Sequence, residues 1–132
     1  MDYKITVGKR KTAVARAVTK KGKGIVTING LPVEFYPTEI LKNKIMEPLK
    51  IAEDKANTVD ISVKVKGGGV TGQADASRTA IAKGLINFLG DSDLENLFRQ
   101  YDRTMLVNDV RIKLPKKAGG KGARAKRQKS YR

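Results

Sequence analysis

The C-terminal segment, residues 115–132, is rich in side chains that bind phosphate. It carries eight cations and no acid: Lys116, Lys117, Lys121, Arg124, Lys126, Arg127, Lys129 and Arg132. Glycine and alanine separate these cations, so the segment holds too little apolar surface to offset the entropy lost on ordering. We therefore predict that it is disordered alone and becomes ordered against a polyanion.

A second group of cations lies near the N-terminus. Between Lys4 and Lys23 eight cations occur without an acid: Lys4, Lys9, Arg10, Lys11, Arg16, Lys20, Lys21 and Lys23. Single lysines at turns often serve only solubility. An acid-free group of this size instead favours a surface that faces phosphate.

A glycine-rich loop, residues 67–72, stands between a predicted strand and a predicted helix. Glycines let a backbone approach an oxyanion, and the free N–H groups of a helix start favour negative charge. The same glycines could equally serve only to turn the chain sharply. The spacing matches neither a Walker loop nor a dinucleotide-binding fingerprint. Arg78 and Lys83 on the following helix favour the phosphate interpretation.

Composition excludes most enzyme classes. The chain of 132 residues has 28 Lys and Arg against 13 Asp and Glu, a net charge of +15, and it has no Cys and no His. It therefore lacks disulfides, Cys or His metal sites, a thiol nucleophile and a histidine base. We expect no catalysis, no metal and no cofactor. The apolar runs are too short for a membrane span and the N-terminus has no signal-peptide pattern, so a soluble cytoplasmic protein without a membrane partner is expected.

The length predicts one globular body, residues 1–114, and an extended basic tail, residues 115–132. Strand-like alternation occurs at residues 4–7 and 12–20, and strand character resumes at 24–28 after a glycine turn, which predicts a hairpin between the last two. Residues 59–66 alternate without a fault and predict the strongest strand of the chain.

Helices are predicted after the first three strands and again after the glycine loop. Pro37 suits the first position of a helix, and Pro48 should stop or bend it. The helix after the loop carries an apolar stripe that includes Ile81 and Leu85. Residues 92–95 read Ser-Asp-Leu-Glu, which is typical of a capping box that opens a further short helix.

Three separated blocks resemble the universal small-subunit ribosomal protein nine family. They are Gly-Lys-Arg-Lys-Thr-Ala at 8–13, Gly-Gly-Gly-Val-Thr-Gly-Gln-Ala at 67–74, and an ending that runs from Gly-Gly-Lys-Gly-Ala-Arg at 119–124 to Gln-Lys-Ser-Tyr-Arg at 128–132. The ending is similar to that of archaeal and eukaryotic members. The resemblance implies an α/β body of the two-layer α+β type, in which a mostly antiparallel sheet of about four strands packs on helices, as in the second domain of ribosomal protein five.

The resemblance also implies a place in the head of the small ribosomal subunit. Partners would be small-subunit rRNA, peptidyl-site tRNA and neighbouring head proteins. The tRNA-proximal residues would be Lys129, Ser130, Tyr131 and Arg132. The rRNA contacts would be Lys9, Arg10, Lys11, Arg16, Gly67, Gly68, Gly69, Arg78, Lys116, Lys117, Lys121, Arg124, Lys126 and Arg127.

Two other functions are compatible with part of the sequence. A small phosphotransferase could use the glycine loop, but the sequence shows no second group of metal-binding carboxylates. A free-standing protein that compacts nucleic acid is compatible with the charge alone. The three family blocks argue against it, and co-sedimentation with ribosomal subunits rather than with DNA would separate the two.

Overall fold

The computed structural model of the chain describes residues 2–125. Within that range the strands are β1 (Tyr3–Arg10), β2 (Ala13–Lys21), β3 (Val26–Ile28), β4 (Leu31–Pro32) and β5 (Val59–Lys66). The α-helices are α1 (Glu39–Ala52), α2 (Val70–Leu89) and α3 (Ser92–Tyr101). The element order therefore follows the one predicted, with the short β4 added.

The strands form one mixed sheet in the order β1-β2-β5-β3-β4. All neighbours are antiparallel except β3 and β5, which are parallel. The predicted α+β class and mostly antiparallel sheet are confirmed. The predicted hairpin between β2 and β3 is wrong, because β5 lies between them. The glycine turn instead wraps around the end of β5, where Asp60 Oδ1 accepts hydrogen bonds from the N–H groups of Lys23 (2.9 Å) and Ile25 (3.0 Å).

Alternating burial shows that the helices cover one face of the sheet and leave the other open. In β5 the apolar residues Val59, Ile61, Val63 and Val65 are buried. In β2 the buried face is made of Ala13, Ala15, Ala17 and Thr19, whereas Arg16 and Lys20 are exposed. The open face is therefore the one that can meet a partner.

Small residues let α2 lie close against β1 and β2. A Cβ atom on Gly8 of β1 would lie 2.1 Å from the carbonyl oxygen of Ala76, so the strand and helix backbones are in contact there. Thr6 Oγ1 donates a hydrogen bond of 2.8 Å to the carbonyl oxygen of Ala80 one turn further along. This contact holds the start of α2 at the same end of the sheet as the turn between β1 and β2.

Aliphatic side chains fill the rest of the core between the sheet and the helices. Ile45 of α1, Ile81 and Leu85 of α2 and Leu94 of α3 are fully buried, together with the aromatic ring of Phe98. Across residues 2–125, none of the helices is long and apolar enough to cross a lipid bilayer.

Two helix boundaries differ from the sequence predictions. Helix α1 begins at Glu39 rather than Pro37, and it continues through a buried Pro48 to Ala52. Helix α3 is capped by Asp91, whose carboxylate accepts the N–H groups of Asp93 (3.0 Å) and Leu94 (3.2 Å). A carboxylate one residue upstream thus replaces the predicted Ser cap, which moves the cap but leaves the helix in place.

Gly8→Ala is expected to lower the free energy of unfolding by about 1 to 3 kcal/mol, because the added methyl group collides with helix backbone. Gly72→Ala is the matched control. Its Cβ would meet Arg10 and Ala13 at ordinary contact distances of 3.6 and 3.7 Å, and alanine favours helix by up to about 1 kcal/mol. Urea unfolding of the isolated protein measures both. Equal stability of the two variants would contradict the close approach of α2.

Candidate nucleic-acid interface

The turn between β1 and β2 and the glycine loop after β5 are packed together. A Cβ atom on Gly67 would lie 2.6 Å from the carbonyl oxygen of Thr12, and one on Gly68 would lie 2.9 Å from the backbone nitrogen of Ala13. Lys11 lies at the tip of the turn, between the end of β1 at Arg10 and the start of β2 at Ala13. The fold therefore gathers two of the predicted rRNA-binding segments at one end of the sheet.

The three consecutive glycines differ in backbone conformation and in packing. Gly67 and Gly68 have φ angles of +77° and +67°, which disfavour any other residue, and each packs against backbone. Gly69 has an ordinary φ of −94°, and a Cβ atom there would find no heavy atom within 4 Å. The turn explains the first two glycines and leaves Gly69 open to a ligand.

The start of α2 follows Gly69 and has no side-chain cap. The first N–H of the helix with a backbone acceptor is that of Gln73, which donates 2.9 Å to the carbonyl oxygen of Gly69. The N–H groups of the three preceding residues are free by helix geometry, and the first turn holds no acid. Free donors and the positive end of the helix dipole suit this position to an oxyanion.

Lys11 adopts a left-handed backbone conformation with φ +53°. This region is disfavoured for a lysine, and glycine or asparagine would adopt it at lower cost. Residues held in such conformations occur often at functional sites. The presence of a lysine in this disfavoured conformation, at the tip of the turn, favours a binding role for its charge.

Four cations lie on the open face of the sheet next to the turn. The register places Val7, Arg16 and Lys64 in one row across three strands, and Lys9, Val14 and Lys66 in the adjacent row. Arg16 and Lys64 are direct cross-strand neighbours, an arrangement that destabilises a free sheet through repulsion of like charges. No acid stands in either row. An anion lying over these rows would remove the repulsion.

Sequence reasoning did not single out Lys64 and Lys66. The alternation of β5 already placed both on its exposed face. What was missing was the pairing of β5 with β2, which brings them beside Arg16. We refer to Lys9, Arg16, Lys64 and Lys66 as the cationic rows.

Arg78 lies away from these rows and is nearly buried. Its Nη2 atom is 2.7 Å from Glu47 Oε2 and 3.0 Å from Asp102 Oδ2, and its side chain is 8% exposed. The guanidinium thus joins α1 and α2 to the residue that follows α3. This placement gives an internal role to a residue that the sequence analysis predicted to contact rRNA.

Arg10 is also engaged internally. Its guanidinium forms an ion pair with Asp109 and lies 3.8 Å from Asp75. It points into a polar cleft of about 290 Å³ that is also lined by Lys44, Glu47 and Arg78. Arg10 is therefore close to the turn in space, but its charge is shared with two carboxylates.

The predicted tail contacts divide into two sets. Lys116, Lys117, Lys121 and Arg124 are exposed on an irregular segment. The remaining ones lie outside the described residues: Lys126, Arg127, Lys129, Ser130, Tyr131 and Arg132.

Carboxylates of the body are held in hydrogen bonds that keep them ionised. The N–H groups of Ile25 and Lys23 lower the pKa of Asp60. Burial raises the pKa of Asp102, but hydrogen bonds from Thr104 and the Arg78 guanidinium outweigh it and leave the pKa below its ordinary value. Both carboxylates stabilise the fold at pH values above the pKa that they have in the unfolded chain. This stabilisation is lost as the pH falls through their lowered pKa in the folded protein.

In residues 2–125 no group of three or more acidic side chains could hold a metal ion.

Arg78→Met and Arg16→Met should separate an internal cation from an interface cation. Loss of Arg78 leaves two carboxylates unpaired and should cost about 1 to 3 kcal/mol of unfolding free energy. This is less than for a fully buried pair, because Glu47 and Asp102 are 31% and 37% exposed. Arg16→Met should leave stability within about 0.5 kcal/mol of wild type and reduce the salt slope of RNA binding by about 1. Urea unfolding and RNA titrations at several salt concentrations measure these effects, and a reversed pattern would contradict the two assignments.

Comparison with known proteins gives the same family as the sequence blocks. Residues 8–132 match the family described as Ribosomal protein S9/S16. The small ribosomal subunit protein uS9 of Thermoplasma volcanium is 77% identical over 132 residues, which is all of both chains.

Two further relatives carry the same name. That of Thermoplasma acidophilum is 79% identical over 128 residues, 97% of this chain and 99% of the relative. That of Picrophilus torridus is 63% identical over 131 residues, 99% of this chain and 98% of the relative. These matches confirm the predicted resemblance, and the chain belongs to the Ribosomal protein S9/S16 family in its archaeal form.

Proposed function

We propose that this chain is a structural constituent of the small subunit of the cytoplasmic ribosome, where its body binds rRNA in the head and its tail contacts peptidyl-site tRNA. Family membership supports the ribosomal part, since the relatives are named as small-subunit proteins. The observation that carries RNA binding is the pair of cationic rows, in which no acid stands. Lys11 and the open start of α2 lie at the same end of the sheet. Neighbouring head proteins complete the set of partners.

The body contacts in this proposal are mainly contacts to phosphate. Lysine and arginine side chains on a rigid sheet can follow an RNA backbone, and the N–H groups at the start of α2 can take one further phosphate. Lys64 and Lys66 join the residues predicted from the sequence, which are Lys9, Lys11, Arg16 and the loop of Gly67, Gly68 and Gly69. Arg10 and Arg78 support this surface from within the body through their ion pairs.

The tail contacts in this proposal depend on the length that the tail can span when it is extended. Residues 115–132 can span at most roughly 60 Å when extended, whereas a body of this size has a radius of gyration near 13 Å. The tail can therefore enter a site that the body never approaches. Gly119, Gly120 and Gly122 keep it thin enough to pass between RNA helices.

Recognition of tRNA by the tail should be independent of sequence. Charge-assisted contacts to phosphate position a protein on nucleic acid without reading its bases. A site that must accept every tRNA in turn requires this property. Lys129 and Arg132 supply the charge, and Ser130 and Tyr131 supply hydroxyl groups.

Deletion of residues 129–132 should leave assembly of the subunit intact and weaken retention of peptidyl-site tRNA by about 1 to 2 kcal/mol, or roughly 5- to 30-fold. The control is Lys42→Gln with Lys50→Gln, which removes the same number of positive charges from α1, outside both predicted groups of phosphate-binding cations. Dissociation of tRNA from reconstituted subunits measures the effect. Equal retention by truncated and full-length subunits would refute the tail contact.

Gly69→Asp should weaken rRNA binding by about 1 kcal/mol, or about fivefold, because a carboxylate would occupy the position proposed for an oxyanion. Gly69→Asn is the matched control, since Asn caps a helix as well as Asp does but carries no charge. Both variants should unfold at or above the wild-type temperature. Equal rRNA affinity of the two variants would favour a loop that only turns the chain.

A further inference from the structure

The chain returns to the sheet between α3 and the tail. We call residues 108–111 the tail root. Asn108 Oδ1 accepts hydrogen bonds from the N–H of Lys9 (3.3 Å) and from Lys83 Nζ (3.5 Å), and the Lys83 ammonium also donates to the carbonyl oxygen of Val7 (3.1 Å). Asp109 forms an isolated parallel bridge with Arg10. The tail root thus lies along the free edge of β1.

The carboxylate of Asp109 is the most heavily used group of the tail root. Its Oδ1 accepts the N–H of Arg111 at 2.9 Å, and its Oδ2 accepts Arg111 Nη2 at 2.7 Å. Oδ2 also pairs with the Arg10 guanidinium. The Asp109 side chain is 15% exposed, whereas the next residue, Val110, is 88% exposed. A partly buried acid therefore directly precedes a solvated residue.

Arg10 connects this acid to the centre of the body. Its guanidinium lies 3.8 Å from Asp75 on α2, and Asp75 is paired with Lys44 on α1. The charges alternate in sign along this chain of contacts, so each carboxylate lies between two cations. The tail root is thereby coupled to two helices and to β1.

Side-chain hydrogen bonds and ion pairs to the body end after the tail root. Among the described residues 112–125, no side chain forms a hydrogen bond or an ion pair with the body. Arg111 is therefore the last residue before the tail that a side-chain bond of the tail root holds, and its direction sets where the chain leaves the body. The 21 residues from 112 to 132 can span at most about 75 Å, so the point at which the chain leaves the body limits which sites its end can reach.

We propose that Arg10 and Asp109 form a clamp that fixes where and in what direction the tail leaves the body. Arg10 is then a positioning residue for the tail and not a direct rRNA contact. Without the clamp, the last anchor before the tail is Asn108, whose side chain accepts hydrogen bonds from the N–H of Lys9 and from Lys83 Nζ. The consequence for tRNA rests on the function proposed above, whereas the clamp itself does not.

Distance measurement between two spin labels tests the clamp in the full-length protein. The chain has no cysteine, so Asn43→Cys on α1 and Lys113→Cys beyond the tail root provide two unique and exposed labelling sites. Moving the pivot from residue 111 to residue 108 lengthens the free chain before the second label from two residues to five. The distance distribution should then broaden about 1.6-fold, because the spread of a flexible chain grows with the square root of its length.

Asp109→Asn and Arg10→Gln should each produce this broadening, and the double variant should broaden no further, because either change opens the same contact. Arg10→Lys should restore much of the wild-type width. Asp54→Asn, which removes an exposed carboxylate elsewhere, is the control and should change nothing. Wild-type widths in Asp109→Asn and Arg10→Gln would overturn the clamp, as would additive broadening in the double variant.

Reconstituted subunits then separate the clamp from the proposed function. Asp109→Asn should accelerate dissociation of peptidyl-site tRNA about two- to threefold, less than deletion of residues 129–132. If the deletion weakens retention while Asp109→Asn changes neither retention nor label distances, the clamp is wrong and the function stands. If Asp109→Asn broadens the distances but the deletion leaves retention unchanged, the function is wrong and the clamp stands.

Discussion

Repulsion among 28 cations is the constraint on which the rest of this structure depends. Only 13 acids are available to offset them, and the body uses several of these internally, where Asp75, Asp102 and Asp109 pair with arginines or lysines. Exposed ion pairs add little stability. Their placement matters more, because acids that pair inside the body leave the cationic rows on the open face of the sheet without an acid. Internal pairing of the acids thus leaves a cationic surface, to which the proposed function assigns the RNA contacts of the body.

The sequence predicted local structure better than strand pairing. The alternation of β5 identified its bounds, since a half-buried strand must alternate. The order of strands depends instead on α1, which carries the chain from β3 back to a parallel position in β5. A glycine turn between two strand-like runs has the same sequence pattern whether or not the two strands pair with each other. The signal that distinguishes the cases is Asp60, which binds the turn from 35 and 37 residues away.

The candidate site was predictable where its residues are neighbours in sequence. Lys9, Lys11, Arg16 and the three glycines were found because they form acid-free or glycine-rich runs. The assignments of Arg10 and Arg78 could not be refined in this way, because their acidic partners lie 99 and 24 residues along the chain. A basic residue reads the same in sequence whether it meets a phosphate or a carboxylate. Only the fold distinguishes the two.

In the proposed function, the body and the tail differ in how they can be positioned on RNA. Phosphate contacts carry no sequence information, so a basic tail has no means of choosing its own site on an RNA surface. A rigid body can be placed uniquely, because its cationic rows have a fixed spacing set by the pairing of β1, β2 and β5. In the proposed function, the body therefore determines where the tail is placed, and it does so through the few residues that join the two. Asp109, which pairs with Arg10 and accepts hydrogen bonds from Arg111, lies at this junction, and the proposed clamp acts there.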